Sequence, residues 1–240
     1  MPNSLLRNAT RLVVFAGTLV SFALGAPLAA AAANNVAVFA GGQLDFANYV
    51  FAGVTIALPG STIGSGVAFR LLGDTGGYDY LNGVGTVKAS FGGGELDALY
   101  QVTHKNFWGD FGVGVNDTYT TLNPADSSNP LSGNQAELRI TTDGGTASGP
   151  WRADWLGFYG TRLQDYEAGL DVTHSLSPIW RFGVLGYGEG NPNYTLAEVG
   201  PFAAVDFSKA SELQFSTGEA WESGFPQPRL YFRAMIYSRL

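Results

Sequence analysis

The chain has 240 residues, enough for one sizeable domain, and only 14% of them are charged, where an ordinary soluble domain has roughly 25%. It contains no cysteine, which excludes disulfide bridges and thiolate metal sites. Its formal net charge of −7 argues against nucleic acid as a partner.

The first 33 residues predict a secretory signal peptide. Arg7 and Arg11 supply the positive charge, an apolar run covers 12–25, and small residues up to Ala33 provide a cleavage zone. The alternative is an N-terminal membrane anchor, which the shortness of the run disfavours. Cleavage would leave a mature domain over residues 34–240.

The mature part alternates apolar and polar residues with a period of two, and turn residues separate the alternating segments. The predicted strands cover 36–46, 49–58, 67–78, 88–103, 108–122, 134–143, 151–163, 165–176, 179–190, 194–207, 211–220 and 229–240. Strands of soluble proteins usually have about five or six residues, whereas a tilted strand that crosses a bilayer needs about 9–11. The strand lengths therefore favour a membrane-spanning sheet.

Each strand has one charged face and one apolar face. In 135–142, for example, Glu137 and Arg139 share a face that is opposite to Leu138 and Ile140. In a transmembrane barrel the polar face lines the lumen, so these faces supply the candidate lumen-lining residues. They are Arg70, Glu95, Asp97, Asp110, Glu137, Arg139, Arg152, Asp154, Arg162, Asp165, Glu167, Asp171, Arg181, Glu198, Arg233 and Arg239.

Two architectures produce this alternation: a soluble β-sandwich that buries its apolar faces, and a barrel that exposes them to lipid. The strands are long and even in number, and the last residues of the chain are themselves a strand that can pair with the first one. We therefore predict an all-β fold, an antiparallel transmembrane β-barrel of about 12 strands spanning 34–240. Its longer turns would lie mostly outside the cell if the first strand rises from the periplasm.

Three segments resemble a known family. They are VFAGGQ at 38–43, VFAGVTIALPGSTIGSGVAFRLLG at 50–73, and WGDFGVGVNDTYTTLNPAD at 108–126. These segments, and the order of elements over nearly the whole mature chain, are similar to the BcsS family of bacterial cellulose-biosynthesis proteins. The resemblance implies a non-enzymatic accessory of cellulose synthesis and secretion in the outer membrane of a Gram-negative bacterium. Outer-membrane lipid would surround it, and cellulose or components of the cellulose synthase complex would be its partners.

The charged lumen has two interpretations. It is either a network of ion pairs that fills the barrel, or a charged pore or glycan path. Inward tyrosines at 187, 231 and 237 either pack in the lumen or stack on sugar rings. Aromatic residues near strand ends, such as Trp108, Trp151, Trp180, Tyr119, Tyr194 and Phe207, are either interfacial girdles or reflect β-propensity.

The sequence favours no catalytic, metal or cofactor site. His174 and Ser175 are adjacent on a predicted strand and therefore point to opposite faces, which separates them even with Asp171 nearby. We expect no cofactor and no enzymatic activity. The alternative functions are a general porin for small solutes and an outer-membrane enzyme that acts on lipid or glycan.

Overall fold

The computed structural model describes residues 35–240 as an antiparallel sheet of twelve strands that closes on itself. The strands are β1 (Val36–Leu44), β2 (Ala47–Ala57), β3 (Gly66–Leu81), β4 (Thr86–His104), β5 (Phe107–Asn123), β6 (Gly133–Ser148), β7 (Trp151–Gly160), β8 (Tyr166–Ser175), β9 (Trp180–Asn191), β10 (Tyr194–Ser208), β11 (Ser211–Glu222) and β12 (Arg229–Arg239). The predicted signal peptide at 1–33 lies outside the described residues and stays a prediction.

Each strand pairs with its neighbours in sequence, and β1 pairs with β12 to complete the circle. The closing register runs from Ala37 opposite Arg239 to Leu44 opposite Phe232. Backbone groups in a bilayer find no water, so every N–H and C=O group must bond within the sheet, and closure removes the free edges. The predicted fold class and strand number are confirmed.

The two faces of the sheet are the reverse of those in a soluble protein. Large apolar side chains on the outer face remain exposed, including Val113 at 63% and Leu138 at 62%. Polar side chains on the inner face are buried, including Asp97 and Thr173 at 0%. This apolar exterior is suited to lipid, and it places the barrel in the outer membrane. Among the residues that the structure describes, no helix is long and apolar enough to cross a bilayer.

The two ends of the barrel differ. At the end that holds Val36 and Leu240, here called the termini end, the turns are mostly short; the longest covers 58–65. The opposite end, here called the loop end, carries longer connections at 124–132 and 223–228. This difference follows the predicted distribution of long and short turns, in which the loop end faces the outside.

The end of one strand near the middle of the chain differs from the prediction. The glycines at 144 and 145 suggest a turn, but both lie within β6, which continues to Ser148. They face the rings of Trp155 and Trp108 on the neighbouring strands, and a β-carbon at Gly144 would come within 2.6 Å of the Trp155 ring. The turn is Gly149–Pro150 instead, and Gly149 has a φ of 58°, which suits glycine.

Outer aromatic rings occur at the ends of several strands. At the termini end Trp180 stacks on Phe182 with centroids 5.6 Å apart, and Trp151 contacts the ring of His174 at 4.8 Å. Such rings at the outer surface match the aromatic girdles of membrane barrels. Trp108 and Tyr194 differ, because both belong to inner faces: Trp108 covers Gly145, and the Tyr194 hydroxyl donates to Glu189.

Glycine at position 41 allows an aromatic ring to lie against the barrel wall. A methyl group there would come within 2.6 Å of Cζ of Phe51 and 2.9 Å of the Ala234 oxygen, whereas one at Gly186 would have no neighbour within 4 Å. We predict that Gly41→Ala lowers the free energy of unfolding by about 1–3 kcal/mol through overpacking, and that Gly186→Ala leaves it nearly unchanged. Urea unfolding of the barrel in lipid vesicles measures both values, and equal stability of the two variants would contradict this packing.

Candidate functional site

The lumen is the candidate functional site, and its most prominent feature is a set of arginines bonded to carboxylates on other strands. Arg70 on β3 donates from Nε to Asp97 on β4 at 2.8 Å, and from Nη1 to Asp143 on β6 at 3.0 Å. Its Nη2 donates to the Thr141 hydroxyl at 2.9 Å. A single guanidinium group thus connects strands that are three positions apart around the barrel.

A second arginine extends this network towards the loop end. Arg139 on β6 donates to Glu95 on β4 and to Asp165, which immediately precedes β8, both at 2.9 Å. Glu137 lies 3.4 Å from the Arg139 Nε atom, and the guanidinium lies 4.1 Å from the centroid of the Phe158 ring. Glu95 also lies 3.9 Å from Arg70, so the two arginines share one carboxylate.

A third group of ion pairs crosses the lumen near the termini end. Arg152 on β7 donates to Asp154 at 2.6 Å and reaches Glu212 on β11 at 3.4 Å. Arg181 on β9 also bonds Glu212 and lies 3.5 Å from Asp206 on β10. Strands β7 and β11 are four positions apart in a circle of twelve, so this contact spans much of the lumen.

A fourth group joins the closing strand to strands two and three positions away. Arg233 on β12 lies 2.9 Å from Glu198 on β10, and its guanidinium lies 3.3 Å from the centroid of the Tyr187 ring on β9. Gln43 on β1 donates to Glu198 at 2.8 Å. These contacts brace the seam between the first and last strands from the inside.

Other candidate residues lie on the inner faces outside these groups. Asp110 accepts a hydrogen bond from Gln101 at 2.7 Å, and Asp171 is 6% exposed and sits opposite Asp154 in the register. Glu167 lies opposite Phe158 and is half-buried. Arg239 is exposed at the termini end and donates to the Tyr237 hydroxyl at 3.2 Å.

The prediction for Arg162 is wrong, because β7 ends at Gly160. Arg162 lies in the turn between β7 and β8, where its exposed guanidinium group reaches the backbone oxygen of Ala136 at 3.4 Å. The alternation that carried the prediction applies only while the backbone stays extended. A turn residue has no assigned face.

The candidate lumen-lining residues also left out several inward carboxylates. They are Asp74, Asp143, Glu189, Asp206 and Glu212. The sequence pattern could have identified these carboxylates, because each lies an even number of positions from another inward residue of its own strand. With these residues included, acidic side chains outnumber arginines on the inner wall.

The tyrosines proposed for stacking on sugars divide into two groups. Tyr187 and Tyr231 are only 7% and 0% exposed, so they pack among their neighbours and offer no free ring face. Tyr187 also donates to Glu189 at 2.5 Å. Tyr237 is half-buried beside Arg239.

The long connection at 124–132 is attached to the rim of the barrel. Asp126 accepts hydrogen bonds from the Ser128 hydroxyl at 2.6 Å and from the Tyr80 hydroxyl at 3.0 Å. The Ser128 and Tyr80 bonds lower the pKa of the Asp126 carboxyl below its usual range, because they stabilise the charged form. This loop is therefore tied to β3 at the loop end.

The described residues do not assemble a hydrolytic or metal centre. The His174 ring contacts Trp151 on the outer surface, and Ser175 belongs to the opposite face of β8. Within residues 35–240, no group of three or more His, Asp and Glu side chains is arranged to hold a metal ion.

Comparisons with known proteins agree with this architecture. The model of the family described as cellulose biosynthesis protein BcsS matches residues 37–240, which confirms the resemblance seen in the sequence. A search of curated proteins finds no match to the chain.

Solved structures share the fold at low sequence identity. The KdgM porin in complex with disordered oligogalacturonate is 9% identical, with a TM-score of 0.51 over 85% of this chain and 99% of that chain. The translocator domain of the autotransporter NalP from Neisseria meningitidis is 14% identical, with a TM-score of 0.51 over 98% of both chains. An outer-membrane channel from Pseudomonas putida F1 is 12% identical, with a TM-score of 0.50 over 88% of this chain and 96% of that chain. These likenesses support the barrel fold alone.

The Arg181 ion pairs provide a test of the network. Arg181 is 4% exposed, and its removal would leave Glu212 with less compensation for its buried charge. We predict that Arg181→Met lowers the free energy of unfolding by about 3 kcal/mol, while Arg162→Met in the exposed turn changes it by less than about 0.5 kcal/mol. Urea unfolding in lipid vesicles compares the two variants. Equal stability would show that the Arg181 pairs do not hold the lumen together.

Proposed function

Since the chain belongs to the family of cellulose biosynthesis protein BcsS, we propose that it is a non-enzymatic accessory of cellulose biosynthesis and secretion in the outer membrane. The closed barrel with its apolar exterior supplies the membrane location that such a role requires. Its partners in this proposal are outer-membrane lipid on the outside, and cellulose or components of the cellulose synthase complex at the ends of the barrel.

The strongest support for the proposal is that arginine–carboxylate contacts bridge the lumen. Arg152 and Arg181 meet Glu212 near the termini end, and Arg70 connects β3 to β6 farther along the axis. Side chains held across the lumen at two levels obstruct free passage of solutes. The barrel is therefore better suited to act as a scaffold or an anchor for the polymer than as an open pore.

The two alternative functions have weaker support. A general porin would need an unobstructed lumen, and the likeness to porins and channels is confined to the fold. An enzyme would need a nucleophile and base in mutual reach, but His174 contacts Trp151 on the outer surface, away from the inner face. Neither alternative accounts for the family membership.

Single-channel recording separates the accessory from the porin. We predict that the reconstituted barrel shows little or no steady conductance in a planar bilayer, because the ion pairs occupy the lumen. The double variant Arg152→Gln and Arg181→Gln should conduct more, since it removes the guanidinium groups that meet Glu212. Arg162→Gln, in the exposed turn, is the matched control and should behave as the unmodified protein does. A large, steady conductance of the unmodified barrel would favour the porin.

Deletion of the gene tests the cellulose role. We predict that the deletion strain carries less surface cellulose, measured by dye binding and by cellulase-released glucose, while its growth stays normal. The gene restored in trans should recover the polymer. Unchanged cellulose in the deletion strain, with a normal phenotype otherwise, would contradict the proposed function.

A further inference from the structure

Six aromatic side chains form a continuous row on the inner wall of β1 to β4. This row, here called the aromatic track, consists of Phe39, Phe51, Tyr49, Phe91, Tyr78 and Tyr80. Neighbouring ring centroids along it are 5.5–6.4 Å apart. All six residues occupy inward positions of their strands, so the rings line the lumen rather than the lipid-facing surface.

Three of the rings lie against glycines on the neighbouring strand. Phe51 is opposite Gly41 and Phe39 is opposite Gly53 in the β1–β2 register, which makes the two Phe-Ala-Gly segments reciprocal partners. A β-carbon at Gly41 would come within 2.6 Å of Cζ of Phe51, and one at Gly53 would collide with the Phe39 ring. Glycine therefore leaves the space that each ring occupies at the wall.

The same arrangement recurs between β3 and β4. Gly76 is opposite Phe91, and a β-carbon there would come within 2.5 Å of Cζ of Phe91. Gly76 is also opposite Tyr49 on β2, so the Phe91 ring reaches across the glycine to stack on Tyr49 with an interplanar angle of 28°. In each of the three contacts the tip of the phenylalanine ring lies at the glycine.

The rings of the track stay accessible. Each of the six residues is half-buried, in contrast to Tyr187 and Tyr231, which are 7% and 0% exposed. The track begins at Tyr80, one residue before the end of β3 at the loop end, and reaches Phe39 near the middle of β1. It therefore runs from the loop-end rim, where Tyr80 bonds Asp126 of the 124–132 connection, to partway along the barrel.

The polar groups beside the track limit the charge of a ligand. Asp74 lies opposite Phe51, and its Oδ1 atom is buried without a hydrogen-bond partner among the described residues. A carboxylate beside the track repels anions. The excess of carboxylates over arginines on the inner wall also disfavours anionic ligands.

We propose that the aromatic track binds a linear neutral glucan chain, which enters from the loop end and stops partway along the barrel. The apolar faces of sugar rings stack on aromatic rings, and the acidic wall rejects anionic polysaccharides. This proposal deepens the cellulose role above and rests on it for the identity of the polymer. In this proposal the barrel anchors one end of a glucan chain at the outer face of the membrane.

Binding of cellohexaose to the folded barrel tests the track. The protein is refolded in a detergent without a sugar headgroup, folding is checked by the mobility shift on boiling, and binding is measured by isothermal titration calorimetry. Phe91→Leu and Tyr49→Leu keep apolar bulk but remove a stacking face, and each should weaken binding about 2- to 10-fold. Tyr100→Leu is the matched control, since Tyr100 is on the outer face of the same strand as Phe91 and is 61% exposed.

The results of this experiment either support or overturn glucan binding by the aromatic track. Weaker binding in the two track variants, with unchanged binding in Tyr100→Leu and no displacement by oligogalacturonate, supports the track. Absence of cellohexaose binding by the folded protein overturns it, as does equal binding by all variants or displacement by the anionic sugar. These failures leave the cellulose role untouched, because that role is decided by the surface cellulose of the deletion strain.

Discussion

The pairing of β1 with β12 is the constraint on which the rest of the structure depends. A bilayer offers no water to the backbone, and an open edge would leave a row of N–H and C=O groups without partners. The register from Ala37 opposite Arg239 to Leu44 opposite Phe232 removes that edge. Gln43 and Arg233 are opposite each other in this register; Gln43 donates to Glu198 on β10, and Arg233 forms an ion pair with it. The seam is thus held by backbone bonds within the sheet and by a charged cluster inside the barrel.

Closure of the sheet turns one face of each strand towards lipid and the other towards the lumen. The charged side chains on the lumen face are then largely removed from water. Carboxylates and arginines removed from water are costly unless they pair. The arginines at 70, 139, 152, 181 and 233 each contact a carboxylate on another strand or in a neighbouring turn. The same contacts that compensate burial also link separate strands inside the lumen, and in the proposed accessory role they obstruct it. The inner faces of β1 and β2 are different, because glycines and aromatic rings occupy them and no charged residue does.

Much of this organisation is predictable from the sequence, because a period of two assigns each strand residue to a face. The inward positions of Glu137 and Arg139 follow from counting alone, and so would that of Asp143 if the count were continued. The prediction for Arg162 failed because a strand end decides whether the count applies, and glycines 144 and 145 suggested a turn where the strand continues. The partners of each charge, and the reciprocal contacts of the two Phe-Ala-Gly segments, depend on the register between strands. Single-strand patterns carry little information about register.

The central claim is that the charged faces point into the lumen and the apolar faces point to lipid. The most direct measurement is a spin-label scan of β6 from Gln135 to Asp143, with cysteines introduced one at a time into this cysteine-free chain and the barrel reconstituted in lipid vesicles. We predict high accessibility to lipid-dissolved oxygen at Ala136, Leu138 and Ile140, and low accessibility at positions 137 and 139. The opposite phase, or no alternation along the strand, would contradict the barrel and every inference drawn from its lumen.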